Sequence, residues 1–542
     1  MPESVVNLAA TSVRQYGKNS YKPKPFEHIY TCNTGDLIPA FATIKINPGS
    51  TWKITTSILA RLNTSRYPTI TRGWIEYMWT YVPHIQVWDH WNEFMGENTE
   101  SAWVSQTVYT IPKISIPEGT VIENGSLLDH FGWPTKQGNF KAGALKLRAY
   151  LWSCNQIARD QNIEEPFAPD TGDADLVYTG KNADFKVGGK PYQINRKADY
   201  FSTALPEPYK GPEVLLPLGT TAPIKNSTTS NFINPKIYSN STGGGFNTQN
   251  ALGVEPGENM IWTNSTGGQY AGEAFIRMEA DLSEANAPSL FAIRDAITTL
   301  HIYERDARSG TRAPEMLWAR WGVEVDPLEM GRPRILNMNR FQIDFEQVPQ
   351  TSASNETSPQ GTLTAFGYTN NRSEEETFSF KYAGTLMCLV AIRFEHKYQY
   401  GIPEEDMKLD RFDFWHPEFT GLGDQPIYNY EIYATGGQNG TINDKSIFGY
   451  AERGAEYKNF PSLITGQVRS NYEQSMDYVH MADKYNELPT LSKEWMKENP
   501  DNLDRTIFVT SAQANQWLVD FVTEFEITDT LPLYSIPGVD RI

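Results

Sequence analysis

Cysteine and long apolar runs are scarce in this sequence of 542 residues. Its three cysteines, Cys32, Cys154 and Cys388, are an odd number without metal-ligand spacing, which predicts buried free thiols and no disulfides. No run approaches the roughly 18 apolar residues that a membrane helix needs, and residues 1–25 lack the apolar core of a secretory signal. We therefore expect a protein that is made and kept in a cytoplasm, without membrane insertion.

The motifs of catalysis and of metal binding are also missing. There is no Walker phosphate loop, no G-x-S-x-G elbow and no H-E-x-x-H pair among the eight histidines. Acidic residues and histidines are neighbours at Asp89-His90, at Asp129-His130, and at His480 with Asp483. With 65 acidic residues in the chain such neighbours are common, so the sequence predicts no catalytic residue, no metal and no cofactor.

Positive charge is in deficit, because 47 basic residues stand against 65 acidic ones and give a net charge of −18. Binding of nucleic acid by bulk electrostatics needs lysine and arginine to displace counterions from phosphates, so any DNA contact must be local or delegated to a partner. Residues 1–25 are the exception, with four basic residues against Glu3. We expect a flexible basic arm that contacts DNA or an internal partner, and a solvated terminus is the alternative. The four basic residues are Arg14, Lys18, Lys22 and Lys24.

Aromatic residues are abundant, at 13%, and occur with 34 prolines and 40 glycines, which favours many short strands joined by turns. Apolar residues alternate from Trp52 to Leu62, from Gly73 to Val82 and within 377–400, as expected of strands. The pattern predicts an all-β fold with added helices. Its expected core includes Trp74, Trp79, Val390 and Ile392.

Helical spacing predicts one helix over 142–158 and another from Pro288 to Gly310. Alternating charges near the end of the second helix favour ion pairs between residues three or four apart. The alternative is that its arginines meet a neighbouring subunit or a phosphate, since guanidinium groups suit both. These arginines are Arg305, Arg308 and Arg312, and we expect Trp318 and Trp321, which follow them, to anchor the core.

Residues 223–272 differ from the rest in composition. Asn-Ser-Thr occurs at 226, 240 and 264, and the segment has turn-forming residues and few that suit a core. The triplets fit the glycosylation pattern, but without a secretory signal we interpret them as turns. We expect this segment to project from the surface and to contact a host, with Asn240 and Asn264 as candidate contact residues.

Several short sequence motifs follow one another along the chain. They are His90 to Trp103, Arg148-Ala149-Tyr150, Arg159 to Asn162, Gly188 to Tyr192, Glu304 to Arg308, Gly310-Thr311-Arg312, Phe448-Gly449-Tyr450, Arg469 to Tyr472, and Pro532 to Gly538. Together they resemble the major capsid proteins of the microvirus family, the small single-stranded DNA phages, and are closest to its gokushovirus branch. The resemblance implies an eight-stranded antiparallel jelly roll with long inserted loops over 26–542, and no enzymatic activity.

The resemblance also implies partners. Sixty copies would form a T=1 icosahedral shell around circular single-stranded DNA, with a small basic DNA-binding protein, a pilot protein, an internal scaffolding protein and a receptor on the host cell surface. The protein would be part of the virion and would assemble in the cytoplasm of the host bacterium. The alternative is a carbohydrate-binding or glycoside-hydrolysing jelly-roll protein, since 14 tryptophans and 65 acidic residues can supply stacking platforms and a carboxylate pair.

Overall fold

The computed structural model describes residues 17–98, 108–214, 224–226, 251–254, 260–263, 278–280, 290–349, 351, 363–435 and 446–532. Its strands are β1 (Asn19–Tyr21), β2 (Phe26–Cys32), β3 (Asp36–Ile46), β4 (Thr51–Leu62), β5 (Gly73–Pro83), β6 (Lys113–Ile116), β7 (Phe140–Gly143), β8 (Leu176–Val177), β9 (Tyr192–Gln193), β10 (Ile224–Asn226), β11 (Ala251–Val254), β12 (Met260–Thr263), β13 (Met278–Ala280), β14 (Arg334–Pro349), β15 (Leu363–Arg372), β16 (Glu376–Ser379), β17 (Gly384–Phe394), β18 (Asp424–Tyr428), β19 (Ile447–Glu452) and β20 (Trp517–Asp529).

The α-helices are α1 (Trp91–Phe94), α2 (Leu127–His130), α3 (Leu145–Ser153), α4 (Leu290–Ser309), α5 (Ala313–Trp321), α6 (Asn429–Ile432), α7 (Lys493–Met496) and α8 (Asp501–Asp504). A π-helical turn, Cys154–Ala158, extends α3. Short 3-10 turns lie at His84–Gln86, Phe185–Val187, Glu404–Met407, Arg411–Asp413, Pro417–Gly421, Ala455–Tyr457, Gly466–Val468 and Asp477–Val479. Within these described ranges, no helix is long and apolar enough to cross a membrane.

The long strands form one antiparallel sheet whose two halves pack against each other over a shared core. One half has the order β2-β20-β4-β15, and the other has the order β14-β5-β17-β3. Strand β14 joins the halves, because Arg334–Ile343 pairs with β5 and Asp344–Pro349 pairs with β15. This is the strand order of a jelly roll, so the prediction of an all-β fold with added helices is confirmed.

The core between the two halves of the sheet is formed by alternate side chains of the strands. Along β4 and β20 every second side chain is buried, as the sequence pattern predicts for half-buried strands. Trp79 is fully buried, and its Nε1–H donates to Thr56 Oγ1 at 3.1 Å. Val390 and Ile392 are also buried, which confirms three of the four expected core positions.

Trp74 is the exception among the four, because it is only half-buried. The guanidinium of Arg340 lies 4.7 Å from the centre of a Trp74 ring, and Lys197 Nζ lies 5.1 Å from one. Its face of β5 points away from the core shared by the two halves, and two cations cover the ring there. The prediction of a core position is therefore wrong for Trp74.

The connection from β5 to β14 carries a second core. Trp88, residues of α3 and residues of β6 pack there with Met78 of β5 and Met387 of β17. Strands β5 and β17 are therefore buried on both faces, which explains why their sequences are almost continuously apolar. The helix predicted over 142–158 is confirmed in its larger part, since α3 and its π-helical turn span 145–158.

The chain divides into two compact units, where the sequence predicts one domain over 26–542. Residues 1–208 and 305–542 form the first unit, and residues 209–304 form the second. In the second unit β10 pairs with β13, and β11 pairs with β12 as antiparallel strands. The helix predicted from Pro288 to Gly310 is present as α4.

The connection from β17 to β20 carries a third core, built with residues from the middle of the β5–β14 connection. Phe201, Tyr398, Ile427 and Trp495 are among its members. The two connections also share backbone hydrogen bonds, because Arg196 N–H donates to the Met496 carbonyl at 2.8 Å. The single strand predicted within 377–400 is divided into β16 and β17. The three cysteines are buried and free, as predicted.

Candidate interaction surfaces

The three predicted interface arginines have different environments. Arg308 forms an ion pair with Asp424, and Arg312 donates to the carbonyl oxygens of Asn155 and Arg159 at 3.2 and 3.0 Å. Arg305 is exposed and has no carboxylate partner in the described part of the chain. Of the three, Arg305 is therefore the one still available to a neighbouring molecule.

Charge pairing within α4 is not the main feature of this region, although the sequence favours it. Asp306 accepts from Arg320 of α5 at 2.5 and 2.8 Å, and Arg308 reaches Asp424 on β18. These pairs tie α4 to other elements. Only Arg312 and Glu315, with 3.6 Å between Nη1 and Oε1, are an ion pair at the predicted spacing of three residues. The prediction that ion pairs three or four residues apart stabilise the end of α4 is therefore wrong.

Trp318 and Trp321 are exposed, at 67% and 65% of their surface. Their helix, α5, has Pro314 in its first turn and ends at Gly322, which takes a left-handed conformation with φ of 67°. None of the residues of α5 is buried. The prediction that the two tryptophans anchor the core is wrong, because the helix carries them on the surface of its unit.

Part of the predicted basic arm is a strand. Strand β1 pairs with β20, and Lys18 Nζ donates to the Gly49 carbonyl. Lys22 Nζ lies 3.3 Å from a carboxylate oxygen of Glu526. Lys24 is exposed and has no charged partner among the described residues, and Arg14 lies outside them. The prediction of a flexible arm is therefore wrong for β1, and Lys18 and Lys22 already have partners within the chain.

The predicted host-contact residues, Asn240 and Asn264, lie outside the described residues. Within 223–272 the structure describes only β10, β11 and β12.

A buried cluster of charged groups connects the two long connections. His396, two residues after β17, lies with its Nδ1 3.1 Å from Asp483 and its Nε2 3.1 Å from Glu498. Arg196 donates to Asp483 at 2.8 Å and stacks on Trp495, with 4.0 Å from the guanidinium carbon to the ring centre. All four charged groups are buried, so their mutual pairing offsets the cost of removing them from water.

Pairing in this cluster shifts the pKa values of His396 and Asp483 in opposite directions. Burial alone would lower the pKa of His396, but the carboxylates of Glu498 and Asp483 outweigh it and raise the pKa to about 10. Burial would raise the pKa of Asp483, yet Arg196 and His396 hold it well below its usual range. His396 is therefore a cation at neutral pH. Asp483 pairs with His396 and not with His480, its neighbour in sequence, which accepts from Ala482 N–H.

Comparison with known proteins decides the family. A family model described as "Capsid protein (F protein)" matches residues 17–539. The proteins named "Capsid protein VP1" of Spiroplasma virus 4 and of Bdellovibrio phage phiMH2K are each 34% identical to this chain. The first match covers 96% of this chain and 95% of the relative, and the second covers 93% and 92%. "Capsid protein VP1" of Chlamydia phage 1 is 29% identical, over 93% of each chain.

The chain belongs to this capsid-protein family. It is a structural capsid protein of the microvirus type, as the sequence signatures predict, and it is not an enzyme. The alternative of a glycoside-hydrolysing protein is thereby set aside. Within the described residues, no group of three or more histidine, cysteine, aspartate or glutamate side chains could hold a metal ion.

Sequence reasoning missed two features of the capsid protein. The first is the buried charge cluster, whose members are up to 302 positions apart in sequence, as Arg196 and Glu498 show. The second is a set of exposed apolar side chains in the β17–β20 connection, between 409 and 463. A signal for the second was present, since aromatic residues there lie among acidic ones without strand or helix periodicity.

Proposed function

We propose that sixty copies of this capsid protein form a T=1 icosahedral shell around circular single-stranded DNA, in a virion that assembles in the cytoplasm of the host bacterium. The proposal is carried by family membership over residues 17–539. The jelly roll supports it, because a rigid sandwich fixes the subunit shape while long connections provide surface for neighbouring copies. Electron microscopy and the mass of purified particles test it. Sixty copies per particle are expected, and a small oligomer as the largest assembly would contradict it.

We further propose that the N-terminal segment faces the enclosed DNA. Its candidate contacts remain Arg14, Lys18, Lys22 and Lys24. Lys22 is already paired with Glu526, so Lys24 is expected to contribute more to DNA binding than Lys22. Changing all four to glutamine should weaken genome retention and reduce its dependence on salt, while empty shells still form. Lys24→Gln and Lys22→Gln form a matched pair of single variants. Equal genome retention in the two variants would contradict the larger contribution expected of Lys24.

The net charge of −18 per subunit supports a cationic partner inside the shell, since sixty such subunits do not attract a polyanion as a whole. We propose a small basic DNA-binding protein in this role, together with a pilot protein and an internal scaffolding protein. Mass spectrometry of purified virions and of assembly intermediates tests these partners. Filled virions that contain no protein besides this chain would contradict the proposal.

Residues 223–272 are proposed to contact a receptor on the host cell surface. Support comes from their turn-rich composition and from their place within 209–304, which is compact by itself. Deletion of 223–272 should spare folding and shell formation but abolish adsorption to host cells. Asn240→Ala and Asn264→Ala test the two candidate residues in the same adsorption assay. Failure of the deleted chain to fold would show that the segment belongs to a core.

A further inference from the structure

Two loops of the β17–β20 connection expose large apolar side chains. Six of them, which we call the aromatic patch, are each at least half exposed: Leu409, Phe412, Phe414, Tyr457, Phe460 and Leu463. Phe460 is the extreme case, at 85%. Contiguous exposed apolar surface of this kind is rare on soluble proteins that act alone, and it marks contact sites.

Contacts between side chains and backbone join the two loops into one surface. Trp415 N–H donates to Tyr457 Oη at 3.2 Å. Lys408 Nζ lies 4.3 Å from the centre of the Tyr457 ring and 5.9 Å from that of Phe414. The rings therefore surround one lysine, and the loops 409–415 and 457–463 are held next to each other.

A cavity of about 210 Å³ opens beside the aromatic patch, and Phe460 and Leu463 are part of its wall. Four glutamates line it: Glu404, Glu405, Glu431 and Glu456. Lys408 is the nearby cation, with its Nζ 3.3 Å from Glu404 and 3.4 Å from Glu456. One lysine beside four glutamates leaves the cavity short of positive charge.

The sequence around the cavity also has more acidic than basic residues. Between Glu404 and Glu418 there are six acidic and two basic residues. Glu431 is the deepest of the cavity carboxylates, and burial raises its pKa to about 7. A cation that enters the cavity would favour the ionised form of Glu431.

We propose that the aromatic patch and this cavity bind a second copy of the chain, which inserts an arginine or lysine side chain among the carboxylates of the cavity while its apolar neighbours cover the rings. Capsid proteins assemble as multimers, so other copies are the partner that every subunit meets. Arginine combined with aromatic residues is typical of the energetic centre of interfaces. Arg305, exposed and without a carboxylate partner in the described part of the chain, is one side chain of the required kind.

The first experiment removes the apolar part of the contact. Phe460→Ser and Leu463→Ser should leave the subunit folded, because both side chains are exposed, but should lower the yield of shells by roughly tenfold or more. Ile70→Ser is the matched control, since Ile70 is 72% exposed and lies outside the patch. Circular dichroism reports folding and sedimentation reports shells. Normal shell yields from both patch variants would overturn the proposal.

The second experiment tests the charge. Glu404→Gln removes a cavity carboxylate, and Glu418→Gln removes an exposed carboxylate that does not line the cavity. Only the first should reduce shell formation. Equal yields from the two variants would overturn the role of the cavity.

The third experiment identifies the occupant. The native cysteines are buried, so Leu409→Cys, which keeps Phe460 and Leu463 in place, supplies an exposed thiol of the patch for a benzophenone maleimide. Shells assembled from a mixture of ¹⁵N-labelled and unlabelled subunits should give crosslinked peptides of mixed isotope content, which only contact between copies produces. Crosslinks confined to one copy, or made to another virion or host protein, would overturn the assignment. The inference rests on the proposed shell, and wild-type particles separate the two failures: if the wild type forms no shells, the proposed function fails first.

Discussion

The sandwich and the β17–β20 connection use the same apolar residue types in opposite ways. In the sandwich, Trp79 is fully buried and contacts residues of neighbouring strands. In the connection, Phe460 and Leu463 are mostly exposed. Alternation along a strand directs every second side chain into the core of the same chain, whereas a loop without periodicity has no such constraint. In a capsid protein, an apolar residue outside periodic segments is therefore a candidate for burial between copies.

The largest effect is expected in the sandwich. Trp79→Ala should lower the free energy of unfolding by about 3 to 5 kcal/mol, through lost burial and a cavity between the two halves of the sheet. Shells should then fail to form because the subunit does not fold. Denaturant unfolding of the isolated subunit is the measurement. A loss as small as that of an exposed tryptophan would remove the distinction between the two regions.

The buried charge cluster comes next. Arg196→Leu should lower the free energy of unfolding by about 3 kcal/mol, because Asp483 then keeps only His396 as a charged partner. Arg372→Ala is the control. Its ion pair with Glu524, at 2.9 Å, has both side chains more than half exposed, so the loss should stay below about 1 kcal/mol. Similar losses in both variants would contradict the role of burial.

The cluster also predicts a pH dependence. The pKa of His396 is raised to about 10 in the folded chain, so its contribution to stability is complete below the ordinary histidine pKa of about 6.5 and is lost as the pH rises through about 10. Asp483 acts in the opposite direction, because its lowered pKa makes stability fall in acid. Between pH 7 and pH 10 the wild type should therefore lose more stability than His396→Gln. Melting temperatures measured over this pH range check the prediction. An equal fall in melting temperature for the wild type and His396→Gln would contradict it.

The smallest effect on the subunit is expected at the exposed tryptophans. Trp318→Ala and Trp321→Ala should change the free energy of unfolding by no more than about 0.5 kcal/mol, since neither side chain is buried in its own unit. The same denaturant titration used for Trp79→Ala measures it. A loss of several kcal/mol would mean that α5 is packed far more tightly than its exposure indicates.

Family and fold class could be predicted from the sequence because both depend on local patterns. Signatures such as Arg469 to Tyr472 are contiguous, and alternation from Gly73 to Val82 identifies a strand without knowledge of its neighbours. The candidate sites were harder to predict. Tryptophan is usually a core residue, so the sequence alone suggests a core position for Trp318. Lys22 looks like a free cation in the sequence, because its partner Glu526 lies far along the chain.

The sequence by itself determined the chain's membership in a capsid family, its all-β class and the inward faces of its main strands, since short-range periodicity fixes which side chains share a face. Only the tertiary structure decided that His396 meets Asp483 and Glu498, and that the aromatic patch stays exposed. These features join residues far apart in the chain. Their energies depend on distance and burial in space, which no local pattern encodes.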